Sequence, residues 1–181
     1  MTRRKSVLFI LPLIFSMLLV PVYNASSLDF VLPEEKIENV RTNCSDIKDT
    51  LKRVQNSDRN TRVSLGRTYQ QILSDFITPM NVRLVKNNRF DYNLNNIQND
   101  FVSAREEFNR RYISYGQTLE AILAIDCKSN PEDFYGKLIE VRNARKNVAD
   151  SVAEIETIID KHTAAVTELK ETFRPKEKTD E

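Results

Sequence analysis

The chain has 181 residues, 40% of them hydrophobic, with 27 basic and 26 acidic residues and a net charge of +1. So even a balance lacks the basic excess of a nucleic-acid binder. Three glycines and six prolines leave room for few tight turns, which favours long helices with few connections, and the length suffices for one domain with a real core.

Residues 1–27 read as an export signal. Arg3, Arg4 and Lys5 precede an apolar run over 7–20, and Ala25-Ser26-Ser27 offers small residues for cleavage. A run of fourteen residues, broken by Pro12 and flanked by Pro21, falls short of the ~20 that a membrane span needs. An uncleaved anchor is the alternative and would be the chain's one membrane contact. Cleavage would leave 24 cations against the 26 acids, a net charge of −2. Export sends Cys44 and Cys127 to an oxidising compartment, where a disulfide persists. Residues 28–33 form a linker.

Pro33-Glu34-Glu35 opens a helix, proline at the first turn and acids on the positive end of the dipole. Ile37, Val40, Cys44, Ile47, Leu51 and Val54 follow at four-three spacing. The seam turns polar at Asp58 and Thr61 and resumes at Leu65, Tyr69, Ile72, Phe76 and Met80 after a stutter. One helix is expected over 34–86, bent at Pro79. The Asn-rich stretch over 86–93 is a loop in which Asp91 or Asn93 can cap the next helix. That helix spans 92–126, with Leu94, Ile97, Phe101, Ala104, Phe108, Tyr112, Tyr115, Leu119 and Ile122 inward. Asn130-Pro131-Glu132-Asp133 starts a third, over 131–173, with Asn130 as N-cap. Its seam runs Phe134, Leu138, Val141, Arg145, Val148, Val152, Ile155, Ile159, His162, Val166, Leu169, Phe173, interrupted only by Arg145 and His162. Residues 174–181 are a charged tail.

The expected fold is all-α: an elongated up-down-up three-helix bundle, coiled-coil-like, roughly 60 to 65 Å long at 1.5 Å per residue. The cysteines set its register. Facing residues of an antiparallel pair have numbers adding to a constant, so a Cys44–Cys127 bridge centres the first turn near residues 85 and 86, where the Asn-rich loop begins. Closing so long a loop stabilises by ~4 to 5 kcal/mol in the chain-entropy model. The first and third helices then run parallel, which sets Arg145 level with Asp58 and His162 level with Asp75. These four residues form a structural polar layer whose role is to hold register, since a slip would strand a buried charge. The tip of the bundle gathers Arg83, Lys86, Arg89, Phe90, Tyr92, Lys170 and Arg174, aromatics interleaved with cations in the manner of a contact surface.

For catalysis the inventory is poor. One histidine, His162, lies on an inward seam, both cysteines are paired, and the glycines stand far apart, so no catalytic residue, cofactor or metal site is assigned. Asn24-Ala25-Ser26 and Asn43-Cys44-Ser45 match the glycosylation pattern only weakly. The expected function is an exported, non-enzymatic interaction module of the cell surface or envelope, a spacer, adhesin or partner-binding bundle. Its partner would be another protein or an envelope component, not nucleic acid, and the heptads leave self-association open. The alternative is a carrier holding a lipid or other apolar ligand among the central aromatics.

Overall fold

The computed structural model describes residues 33–173. The export signal, most of the linker and the charged tail with Arg174 lie outside them. The described residues are helical throughout, without a strand: α1 (Glu34–Thr42), α2 (Cys44–Gln71), a π-helical turn (Ile72–Ile77), α3 (Thr78–Lys86), α4 (Tyr92–Ala124) and α5 (Pro131–Thr172). Among them no helix is long and apolar enough to cross a membrane. A disulfide joins Cys44 to Cys127, with 5.6 Å between the Cα atoms.

The stretch expected as one helix over 34–86 is interrupted twice. At Asn43 the backbone departs to φ −102°, ψ 19°. The Asn43 side chain donates to the Asn39 carbonyl at 3.1 Å, sharing that acceptor with its own N–H at 3.0 Å, one residue before the bridging cysteine. The second interruption is the π turn, where Thr78 N–H donates to the Leu73 carbonyl five residues back. A wider turn lies immediately ahead of Pro79, which has no N–H to donate and whose ring crowds the carbonyl four residues before it. The wider turn also shifts the phase. Phe76, expected inward, is 66% exposed, and Ile77 takes its place at 1%. Upstream, Arg62 rather than Thr61 lies on the half-buried side.

The other helix ends follow from local chemistry. Asp91 caps α4, its Oδ1 accepting from Leu94 N–H at 3.0 Å. Lys48 reaches across to the Leu123 carbonyl at 3.0 Å and satisfies the other end of α4. Asn130 makes no side-chain cap. Asp126 organises that turn instead, accepting from Lys128 N–H at 3.0 Å and the Ser129 hydroxyl at 2.7 Å.

Two apolar clusters share α4. Near the disulfide, Val40, Cys44 and Leu51 pack with Tyr115, Leu119, Ile122, Phe134 and Val141. Farther along, Tyr69, Ile77 and Leu84 pack with Leu94, Phe101, Phe108, Ile155 and Ile158. Tyr69 meets Phe101 and Phe108 edge-on, at 6.4 and 5.7 Å between ring centres. Burying each such side chain fully is worth ~1.5–3 kcal/mol. The fully buried Ser151 donates to its own helix at the Val148 carbonyl and so brings no unpaired hydroxyl into the core. Packing is uneven: α4 lies against α5 along much of its length and α2 lies on α4, while α2 and α5 stay apart over most of theirs.

Candidate functional site

Where α2 and α5 do meet, they meet through charge. Arg145 grips Asp58 with two bonds, Nε to Oδ2 at 2.8 Å and Nη2 to Oδ1 at 2.9 Å, across 87 positions of sequence. The Tyr115 hydroxyl donates to Asp58 Oδ2 at 2.7 Å from α4 below. The carboxylate therefore binds three helices together. Its side chain is 17% exposed and that of Arg145 is 58% exposed, so the pair sits at the edge of the bundle. Burial pushes the Asp58 carboxyl up, but the bonds from Arg145 and Tyr115 outweigh it and leave the group below its ordinary value. The Tyr115 phenol is driven well above its usual range by burial and by its bond to Asp58. Reading Tyr115 only as a core aromatic misses this role; the signal was a tyrosine where phenylalanine would pack as well.

The other half of the expected polar layer does not form. Asp75 falls inside the π turn and is exposed, accepting from Ser74 at 2.7 Å. His162 is half-buried with no hydrogen-bond partner at Nε2. The extra residue in the wider turn carries Asp75 off the inward face. Burial pushes the His162 imidazole below its ordinary value. Between the folded and unfolded values the unfolded chain holds more protons, so stability is full above the unfolded value of ~6.5 and falls as pH drops through it. The melting midpoint should accordingly be lower at about pH 5.5 than at about pH 7.5. In His162→Gln that gap should narrow, and calorimetry of both proteins at both pH values checks it.

Because α2 and α5 stay apart, a groove of about 580 Å³ lies between them above α4. Its lining includes Phe108, Tyr112 and Tyr115 from α4, Leu65 from α2, and Val148, Ala149 and Val152 from α5. Arg62, Arg142, Arg145 and Lys146 line it too, with Asp58 as its one acid. Arg62 stacks on the Tyr112 ring at 5.1 Å, and its Nε is out of water without an acceptor. Toward the disulfide, beyond the Asp58–Arg145 pair, a second cavity of about 760 Å³ shares Tyr115, Arg142 and Arg145 with the first. The Asp58–Arg145 pair, with Tyr115 beneath it, stands between the two.

Of the expected tip residues, Arg89 stacks on the Phe173 ring at 4.5 Å, joining the end of α3 to the end of α5. Phe90 and Tyr92 meet edge-on at 4.6 Å. Val82 and Val85 belong to the same neighbourhood, sharing a shallow cleft with Lys86 and Phe90. Phe90, Tyr92 and Phe173 are 53%, 77% and 50% exposed. Arg83 accepts from the Asn87 side chain at its carbonyl, 2.7 Å, and Lys170 accepts from Phe173 N–H at 3.1 Å; both side chains stand in solvent.

No group of histidine, cysteine or carboxylate side chains among the described residues could hold a metal ion. No protein-family model, curated protein or solved structure matches the chain.

Proposed function

We propose that the protein is an exported, non-enzymatic interaction module, an elongated three-helix bundle in which α1 to α3, α4 and α5 run up, down and up. The proximity of Cys44 to Cys127 and of Asn81 to Leu94 supports an antiparallel first pair. Those of Lys36 to Tyr135 and Asp58 to Arg145 support a parallel third helix. Export is supported by the disulfide, which persists in oxidising compartments.

The observation that carries the reading is the tip. Val82, Val85, Phe90, Tyr92 and Phe173 are all exposed, with Val82, Val85 and Phe90 on one cleft, Tyr92 against Phe90 and Phe173 under Arg89, and grouped apolar side chains on a surface mark a contact site. Arg89 and Tyr92 are of the residue types that dominate binding energy. The test is a pull-down from the native envelope fraction with wild-type protein and with Arg89→Ala/Tyr92→Ala. The partner recovered with wild type should be lost with the double variant, whose helical content should be unchanged. Equal recovery would move the contact surface off the tip.

A second reading, a carrier of a lipid or other apolar ligand, is favoured by the groove over Phe108, Tyr112 and Tyr115.

A further inference from the structure

We propose that the groove between α2 and α5 binds a single-chain amphiphile with an anionic head group, the head at Arg62 and Arg142 and the chain on the aromatic floor. This names the ligand class for the carrier reading and rests on it. Size comes first. The cavity of about 580 Å³ lies within the ~300–1,000 Å³ of small-molecule sites.

Charge then selects the head. Of the four cations on the groove, Arg145 is engaged by Asp58 and Lys146 by Asp150. Arg62 and Arg142 form no ion pair with a carboxylate among the described residues. Arg62 is held in place by its stacking on Tyr112, and its Nε lacks the acceptor that a buried donor requires. A carboxylate, sulfonate or phosphate head supplies acceptors and neutralises both guanidinium groups. A neutral head neutralises neither, and a cationic one is repelled. Below the head, Phe108, Tyr112, Tyr115 and Val152 give the chain an apolar bed.

The test uses the delipidated full chain with its disulfide intact, and dodecanoate, 1-dodecanol and dodecylamine as probes, each below its micelle concentration. The chain has no tryptophan and six tyrosines, two of which, Tyr112 and Tyr115, line the groove, so a change in tyrosine emission follows binding and the melting midpoint reports it independently. Dodecanoate should saturate at one per chain and raise the midpoint, with dodecanol at least tenfold weaker and dodecylamine without effect. Arg62→Gln/Arg142→Gln should weaken dodecanoate at least tenfold and leave dodecanol unchanged. Ala149→Trp, placed at an exposed position on the groove wall, should block both. Equal binding of dodecanol and dodecanoate would overturn the anionic head and leave the carrier reading standing. Binding of none of the three would overturn both. Dodecanoate affinity untouched by Ala149→Trp, or uptake only on anionic phospholipid vesicles, would place the ligand outside the groove. A groove covered by a second copy, seen as a dimer that dodecanoate does not dissociate, would also overturn the proposal.

Discussion

Replacing Cys44 and Cys127 together by alanine should lower unfolding stability by about 4.5 kcal/mol in the chain-entropy model, while the helical circular dichroism of the folded state is retained. The magnitude follows from the 83 positions between the two residues, since a cross-link removes from the unfolded chain the freedom of the loop it closes. Alanine is the right replacement because both half-cystines are buried, at 6% and 0% exposure, and a serine hydroxyl there would add a desolvation cost of its own. The bridge fastens the α1–α2 junction to the turn before α5, next to the bend at Asn43. Its removal should therefore loosen α1 first, which lies on α5 through Val40 in the cluster with Phe134 and Val141 and through Lys36 and Tyr135 at the exposed edge. Urea titration should show a lower midpoint, and hydrogen exchange should show protection lost over 34–42 before it is lost over 92–124. A loss under about 1 kcal/mol would mean that the uncross-linked chain keeps the two segments together by other contacts.

The helical character of the chain was legible from heptad spacing, and its Cys44–Cys127 bridge from the expectation of export together with the register of the first two helices. So was the inward face of α4, where eight of the nine residues read as inward are buried and the ninth, Tyr112, is half-buried. Spacing alone could not reveal the π turn, because a single added residue leaves the composition unchanged and rotates everything after it. That rotation exposes Phe76, buries Ile77 and removes Asp75 from the neighbourhood expected for His162. Pro79 did announce a disturbance, without saying whether the chain would bend or widen. The break at Asn43 was equally hidden, since an asparagine in a helical run is common and its bond to the Asn39 carbonyl depends on the rotamer. The groove was out of reach for a different reason. Apolar periodicity tells which side of a helix faces inward, not how closely two neighbours approach, and α2 and α5 are set apart by what each packs on in α4.

Asp58→Leu should be the most damaging single change in the polar layer, costing about 2–3 kcal/mol, against about 1 kcal/mol or less for Arg145→Leu. The two residues form one ion pair, yet their surroundings differ. Arg145 is 58% exposed, so without Asp58 its guanidinium turns to water at little cost. Tyr115 is 2% exposed, so without Asp58 its hydroxyl stays in the core with its 2.7 Å acceptor gone. That orphaned donor, not the lost attraction, carries most of the penalty. The consequence is a test by double-mutant cycle. Asp58→Leu/Tyr115→Phe should recover most of the loss, whereas Asp58→Leu/Arg145→Leu should recover little of it. Acid provides a second check. The Asp58 carboxyl is held below its ordinary value, so the part of its contribution that depends on its charge is complete above the unfolded value of ~3.9 and is lost as pH falls through the folded one. Urea midpoints measured down that range should draw closer for wild type and Asp58→Leu without meeting, because the neutral carboxyl still accepts from Tyr115. Arg145→Leu costing as much as Asp58→Leu would instead identify the ion pair itself, and not the buried phenol, as what joins the three helices.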